Sequence, residues 1–178
     1  MSDPNLYLDA FPSWLKTLGS DVNEFAPLLR SEGLSEAQRR LIAGSINYLF
    51  KSLDLIPDGI EDLGYIDDAF VLRVAADLAT REGENPGGII RRLSSEAKLV
   101  SSFLEADYAR LEAYVRSLTK GAARGRTVDE IVGDAAIRDS LLGDVASWVS
   151  SYQVPTFQRD ERTLVKLRSF LDTKLPRP

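Results

Sequence analysis

The stretch Ser52-Leu-Asp-Leu-Ile-Pro57-Asp-Gly-Ile-Glu-Asp62-Leu-Gly-Tyr-Ile-Asp67-Asp-Ala-Phe70 decides how this chain is read. Six carboxylates, Asp54, Asp58, Glu61, Asp62, Asp67 and Asp68, fall within fifteen residues. Leu53, Leu55, Ile56, Ile60 and Ile66 are threaded between them, and a solvated acidic loop needs no such residues. Pro57 fixes its own φ and biases Ile56 away from helix, and Gly59 and Gly64 are further breaks. The pattern predicts two helices joined by a tight acidic bend at 54–68. Asp54 is placed to cap the turn at Pro57. Asp67 and Asp68 fall in the first turn of the second helix, where exposed N–H groups and the helix dipole favour each negative charge by about 0.3–1 kcal/mol. Two other readings stand beside capping. Asp54, Asp58, Asp67 and Asp68, with Glu61 nearby, have the oxygen chemistry to hold Mg, Mn or Ca. Alternatively, the acids dock a basic partner, or the chain's own Arg73, Arg81, Arg91 or Arg92.

Outward from this bend, nearly every segment has helical periodicity and alternating strand patterns are absent. Leu6–Leu18 reads as a first helix broken near Pro12, and Asp21–Glu24 as a capping box opening a short helix to about Arg30. Ser35–Gln38 and Thr127–Glu130 read as two more capping boxes. Leu41, Ile42, Ile46, Leu49 and Leu53 follow the first of these at helical spacing, and Ile66, Phe70, Val74 and Leu78 line one face after the bend. Asn85-Pro-Gly-Gly88 is a breaker, with Asn85 a cap and Pro86 in a first turn. It is also a possible break between sub-bundles. Leu93, Ala97, Val100, Leu104, Asp107, Leu111, Tyr114 and Leu118 form a heptad-like seam, for packing within the bundle or for a homodimer through the 93–118 helix. Helices at about 134–150 and 159–173 close the chain, and the KLPRP tail is expected to fray. The whole reads as one all-α multi-helix bundle over residues 1–178.

The run Asp54-Leu-Ile-Pro57-Asp58, then Ile60, Gly64 and Asp67-Asp68, resembles the core motif of the YkvA-like domain of unknown function. The likeness covers about residues 41–78. Ser52 and Glu61 stand where the family usually has proline, and Gly59 where a large apolar residue is usual. The resemblance implies a helical hairpin, with Pro57 and Gly64 as structural positions and the four motif aspartates as marked residues. It implies no reaction.

Composition narrows the chemistry. The chain has no cysteine and no histidine. Disulfides, Cys/His zinc sites and Ser-His or Cys-His catalytic pairs are therefore excluded. Net charge is −5, with 5 Lys/Arg against 12 Asp/Glu in residues 1–70 and 17 against 15 in residues 71–178. An acidic chain is poorly suited to nucleic acid. No secretory signal is visible, and the most apolar uncharged run, Leu41–Phe50, is about half of the roughly 20 residues a membrane span needs. A cytoplasmic location is expected.

Arg116, Lys120, Arg124 and Arg126 form a candidate anion patch. The final helix, with Arg159, Arg162, Lys166 and Arg168 opposite Leu164, Leu167 and Phe170, has the pattern of either a bundle-closing or a membrane-surface helix. The first functional expectation is a non-catalytic interaction or adaptor module with a protein partner and no cofactor. The alternatives are a hard-metal site acting on or binding a phosphate-containing ligand, and peripheral membrane association through the last helix.

Overall fold

Ile66–Thr80 carries apolar residues on every side, and a helix of that kind is stable only when surrounded. In the computed structural model, which describes residues 3–51, 54–56, 60, 63–84 and 87–177, it is the third helix of an all-α bundle. The helices are α1 (Pro4–Phe25), α2 (Glu36–Tyr48), α3 (Ile66–Thr80), α4 (Gly88–Leu104), α5 (Tyr108–Ser117), α6 (Val128–Gly133), α7 (Ala135–Ser151) and α8 (Glu161–Lys174). Short 3-10 helices occupy Ala26–Arg30, Glu105–Asp107 and Leu118–Lys120. A small antiparallel ribbon, β1 (Ala122–Ala123) with β2 (Arg126–Thr127), is a strand pair that periodicity did not reveal.

Every residue of α3 except Asp77 and Thr80 is buried. It packs most extensively against α4 and α2, and also against α5 and α1. Phe70 meets Phe11, Trp14 and Phe103 edge-on; sealing such a ring from water contributes about 1.5–3 kcal/mol. One continuous apolar cluster takes in residues of all the helices.

The Ser35 capping box forms as expected, and its Gln38 does more than cap. Gln38 Oε1 accepts from Ser35 N, while Nε2 donates to the carbonyls of Ala79 and Glu84 at 3.0 and 2.9 Å. One amide thus ties the start of α2 to the end of α3. Gly83 abuts it, since a Cβ there would lie 2.9 Å from the Gln38 amide. The Thr127 box also forms, and Asp134 and Asp160 cap α7 and α8.

Several expectations change. α1 runs unbroken through Pro12 to Phe25, because Tyr7, Phe11, Leu15, Leu18 and Val22 are buried along it and outweigh the roughly 3 kcal/mol that an internal proline costs. Asp21 is therefore mid-helix and buried rather than a cap. The 93–118 seam is two helices, not one. Glu105 takes φ 54°, and a short 3-10 helix separates α4 from α5. All of the seam's apolar residues are buried inside this chain, which leaves no apolar seam on the surface for a homodimer. The helices on either side of the 85–88 breaker pack side by side; Asn85 and Pro86 themselves lie outside the described residues. The C-terminal tail is held rather than frayed. Buried Arg110 donates to the carbonyls of Asp172, Leu175 and Pro176 at 2.8, 2.6 and 3.2 Å, and Leu175 is buried. Leu164, Leu167 and Leu171 of α8 face the core, so the apolar face that a membrane-surface helix requires is covered. No described helix is long and apolar enough to cross a membrane.

Candidate functional site at the acidic hairpin

The chain leaves α2 at Tyr48 and re-enters helix at Ile66, and one carboxylate organises the path between. Asp67, fully buried at the start of α3, accepts from the Tyr48 hydroxyl at 2.6 Å and from Ile56 N at 3.3 Å through the same oxygen. The Tyr48 hydroxyl in turn accepts from Leu55 N at 2.7 Å. Two consecutive backbone N–H groups of the bend are thus satisfied by a phenol and a carboxylate, in a place where buried amides otherwise cost about 1–3 kcal/mol each. Ile56 and Leu55 are buried, and Gly64 is buried beside Leu63. Tyr65 turns the chain into α3 with φ 64°. Pro57, Asp58, Glu61 and Asp62 lie outside the described residues. The capping expectation for Asp67 is therefore refined: the Asp67 oxygen just described ties down the loop before the helix.

Burial, with Asp67 and Asp68 adding to it, raises the Tyr48 pKa far above the usual tyrosine value and keeps it neutral. Tyr114 of α5 stands edge-on to Tyr48 and receives Lys51 Nζ at 3.4 Å. Burial, then Asp54 and Asp67, push Tyr114 up to about 12. Asp68 raises Tyr152, after burial, from the other side. A tyrosine with a raised pKa keeps its proton in the folded chain at a pH where the unfolded chain releases it. Stability is then full below pH 10, the ordinary tyrosine value, and falls as pH climbs towards about 12. Denaturant titrations across that window should show the decline, and Tyr114→Phe should make it shallower.

The other candidates separate in space. Arg116 faces Glu82 at 3.6 Å across a cleft of about 190 Å³ that it shares with Arg40. Lys120 is exposed at the end of the Leu118–Lys120 3-10 helix. Arg126, buried, pairs with Asp144 at 2.8 Å, and Arg124 lies over the Phe50 ring at 4.7 Å. Arg116 and Arg124 of the expected four-residue patch thus line different clefts. The chain's own arginines form their pairs elsewhere: Arg73 and Arg92 on Asp21 and Glu96, and Arg81 on Asp77 and Glu112. Arg73 is wholly buried against Trp14, and burial lowers its pKa to about 10 despite Glu96 and Asp21. Among the described residues no three carboxylates are grouped to hold a metal ion. Sequence reasoning missed Tyr48, Asp21 and Tyr114. The one available signal was Asn47-Tyr48, a polar pair within the otherwise most apolar run.

Residues 38–73 match a family model described as a protein of unknown function, DUF1232. The match agrees with the resemblance read from the motif, and it spans only this segment. It includes Gln38, Tyr48 and Asp67, the polar residues that join α2, the bend and α3, and Arg73, which joins α3 to α1 and α4. No curated protein and no solved structure matches the chain.

Proposed function

We propose that this chain is a non-catalytic binding module that presents the hairpin end of its bundle to a protein partner. The observation that carries this reading is the use of Asp67. It serves as an acceptor for Tyr48 and Ile56 N, so the most buried of the described motif carboxylates holds the described part of the bend. Capture from the native host tests it. A partner recovered by the wild-type chain should be lost with Glu61→Lys and retained with Arg162→Gln, a change on the exposed face of α8. Retention with Glu61→Lys argues against the hairpin as the contact surface.

The alternative is a hard-cation site drawing on Asp54, Asp58, Asp67 and Asp68, although among the described residues no three carboxylates are grouped to hold an ion. Thermal melting separates the two readings. The binding module should melt at the same temperature in EDTA, Mg, Mn and Ca. A rise of several degrees with one of these ions, abolished by Asp58→Asn, would replace it with the cation site.

A further inference from the structure

The ribbon closes on Arg124-Gly125, with φ 50° and 76°. Positive φ at both central residues is the geometry of the primed two-residue turn, which favours Asn, Asp or Gly at the first position. Arginine there is strained, because an L side chain in this conformation crowds its own backbone. Backbone strain of this kind is a pointer to function when the strained side chain is placed somewhere useful. Here it is. The Arg124 guanidinium lies over Phe50, the second residue past α2, and lines a cleft of about 200 Å³. The opposite wall is one face of α7: Asp144, Ser147, Trp148 and Ser151.

Charge decides what the cleft takes. Asp144 is held by Arg126 at 2.8 Å and forms a longer ion pair with Arg124 at 3.8 Å, too long for a hydrogen bond. Arg124 donates no hydrogen bond among the described residues, and its side chain is 59% exposed. With Asp144 taken up by Arg126 and the Ser151 hydroxyl donated to the Trp148 carbonyl at 3.2 Å, the Arg124 fork beside Ser147 and an indole fits a carboxylate carried on a short side chain. The cleft also adjoins the hairpin. Phe50 precedes the bend, Tyr65 ends it, and the Tyr65 ring lies 5.9 Å from Trp148.

We infer that this cleft is the specificity pocket of the binding surface and receives a Glu or Asp side chain of the partner, with Arg124 as the carboxylate-binding residue. The inference rests on the hairpin reading above. The commitment to a peptide follows from that continuity, since a chain lying along the hairpin delivers a side chain into the cleft.

The test titrates the 15N-labelled chain with the capped peptide Ac-Gly-Glu-Gly-Glu-Gly-NH2 and follows the Trp148 indole N–H. A saturable shift is expected. The Gln-for-Glu peptide should bind at least about fivefold more weakly, and Arg124→Gly should weaken the Glu peptide by a similar factor. Arg124→Gly should melt no lower than wild type, because glycine relieves the turn, so loss of binding is separable from loss of fold. Arg124→Gln, which keeps the bulk over Phe50, should also lose binding. No shift at millimolar peptide, equal binding of the Gln peptide, or full binding by Arg124→Gly overturns the inference. Inorganic phosphate or acetate binding as tightly as the peptide overturns the peptide assignment. Partner capture that survives Arg124→Gly but not Glu61→Lys removes the cleft and leaves the hairpin reading standing.

Discussion

Arg73→Ala should lower the unfolding free energy by about 4–5 kcal/mol, measured by urea titration at neutral pH. Arg73 has 0% relative exposure, and its Nη2 lies 3.4 Å from Asp21 Oδ2 and 3.5 Å from Glu96 Oε1. Its Nη1 donates to the Ala69 carbonyl at 3.0 Å, and its face packs on Trp14 at 4.1 Å. Breaking a buried pair from one side costs about 3–5 kcal/mol, because the remaining charge stays out of water. Asp21 would keep Arg92 at 2.6 Å and Thr17 at 3.0 Å, which places that part at the lower end. The cavity left by the side chain adds the rest. Total stability for a domain of this kind is about 5–15 kcal/mol, so the variant should sit near the edge of folding. Arg73→Lys, which keeps charge and stem but loses the fork, should fall between the two. Pairing Arg73→Leu with Asp21→Leu should cost less than the sum of the single changes, because two apolar groups then meet. A loss under about 1 kcal/mol for Arg73→Ala would mean that the pair is solvated and that α1, α3 and α4 are held by apolar packing alone.

The contrast between Asp21 and Ser35 shows what a sequence of this kind discloses. Both open a pattern with an acid or amide three residues on. Ser35 follows Gly33, so its helix has no upstream start, and the capping box is a contact within four residues that sequence reasoning reaches. Asp21 stands in a helix already running from Pro4, and its true partners are 52 and 71 residues away on α3 and α4. No local spacing encodes that. Helix identity was legible for α3, because Ile66, Phe70, Val74 and Leu78 repeat at helical spacing. The break at Glu105 was not, because the heptad pattern continues across it on both sides. The turn into α3 was legible from Gly64, while Pro57 lies outside the described residues. The part played by Tyr48 was not legible, since a tyrosine ending an apolar run looks like one more core ring. Arg116 and Arg124 show the opposite limit: they are near in sequence yet line different clefts.

Tyr48→Phe should cost about 2–4 kcal/mol, a large effect for removing one oxygen. The ring and its edge-on contact with Tyr114 remain, so no cavity opens. What disappears is the relay. Leu55 N loses its acceptor in a buried place, at about 1–3 kcal/mol, and Asp67 loses a hydrogen bond to a charged group, worth about 1.5–3 kcal/mol, partly offset by relaxation. The loss should be local before it is global. Hydrogen exchange should quicken at residues 54–56 and 63–66 while α7 and α8 keep their protection, because their caps and packing do not involve Tyr48. The Trp148 indole signal should shift, since Tyr65 packs on it. Function should follow shape. If the bend is the partner's contact surface, Tyr48→Phe should weaken capture although Tyr48 itself is buried. Unchanged exchange at 54–66 would sink the relay, and the motif's Asp67 would then have to be explained by something other than the form of the loop it precedes.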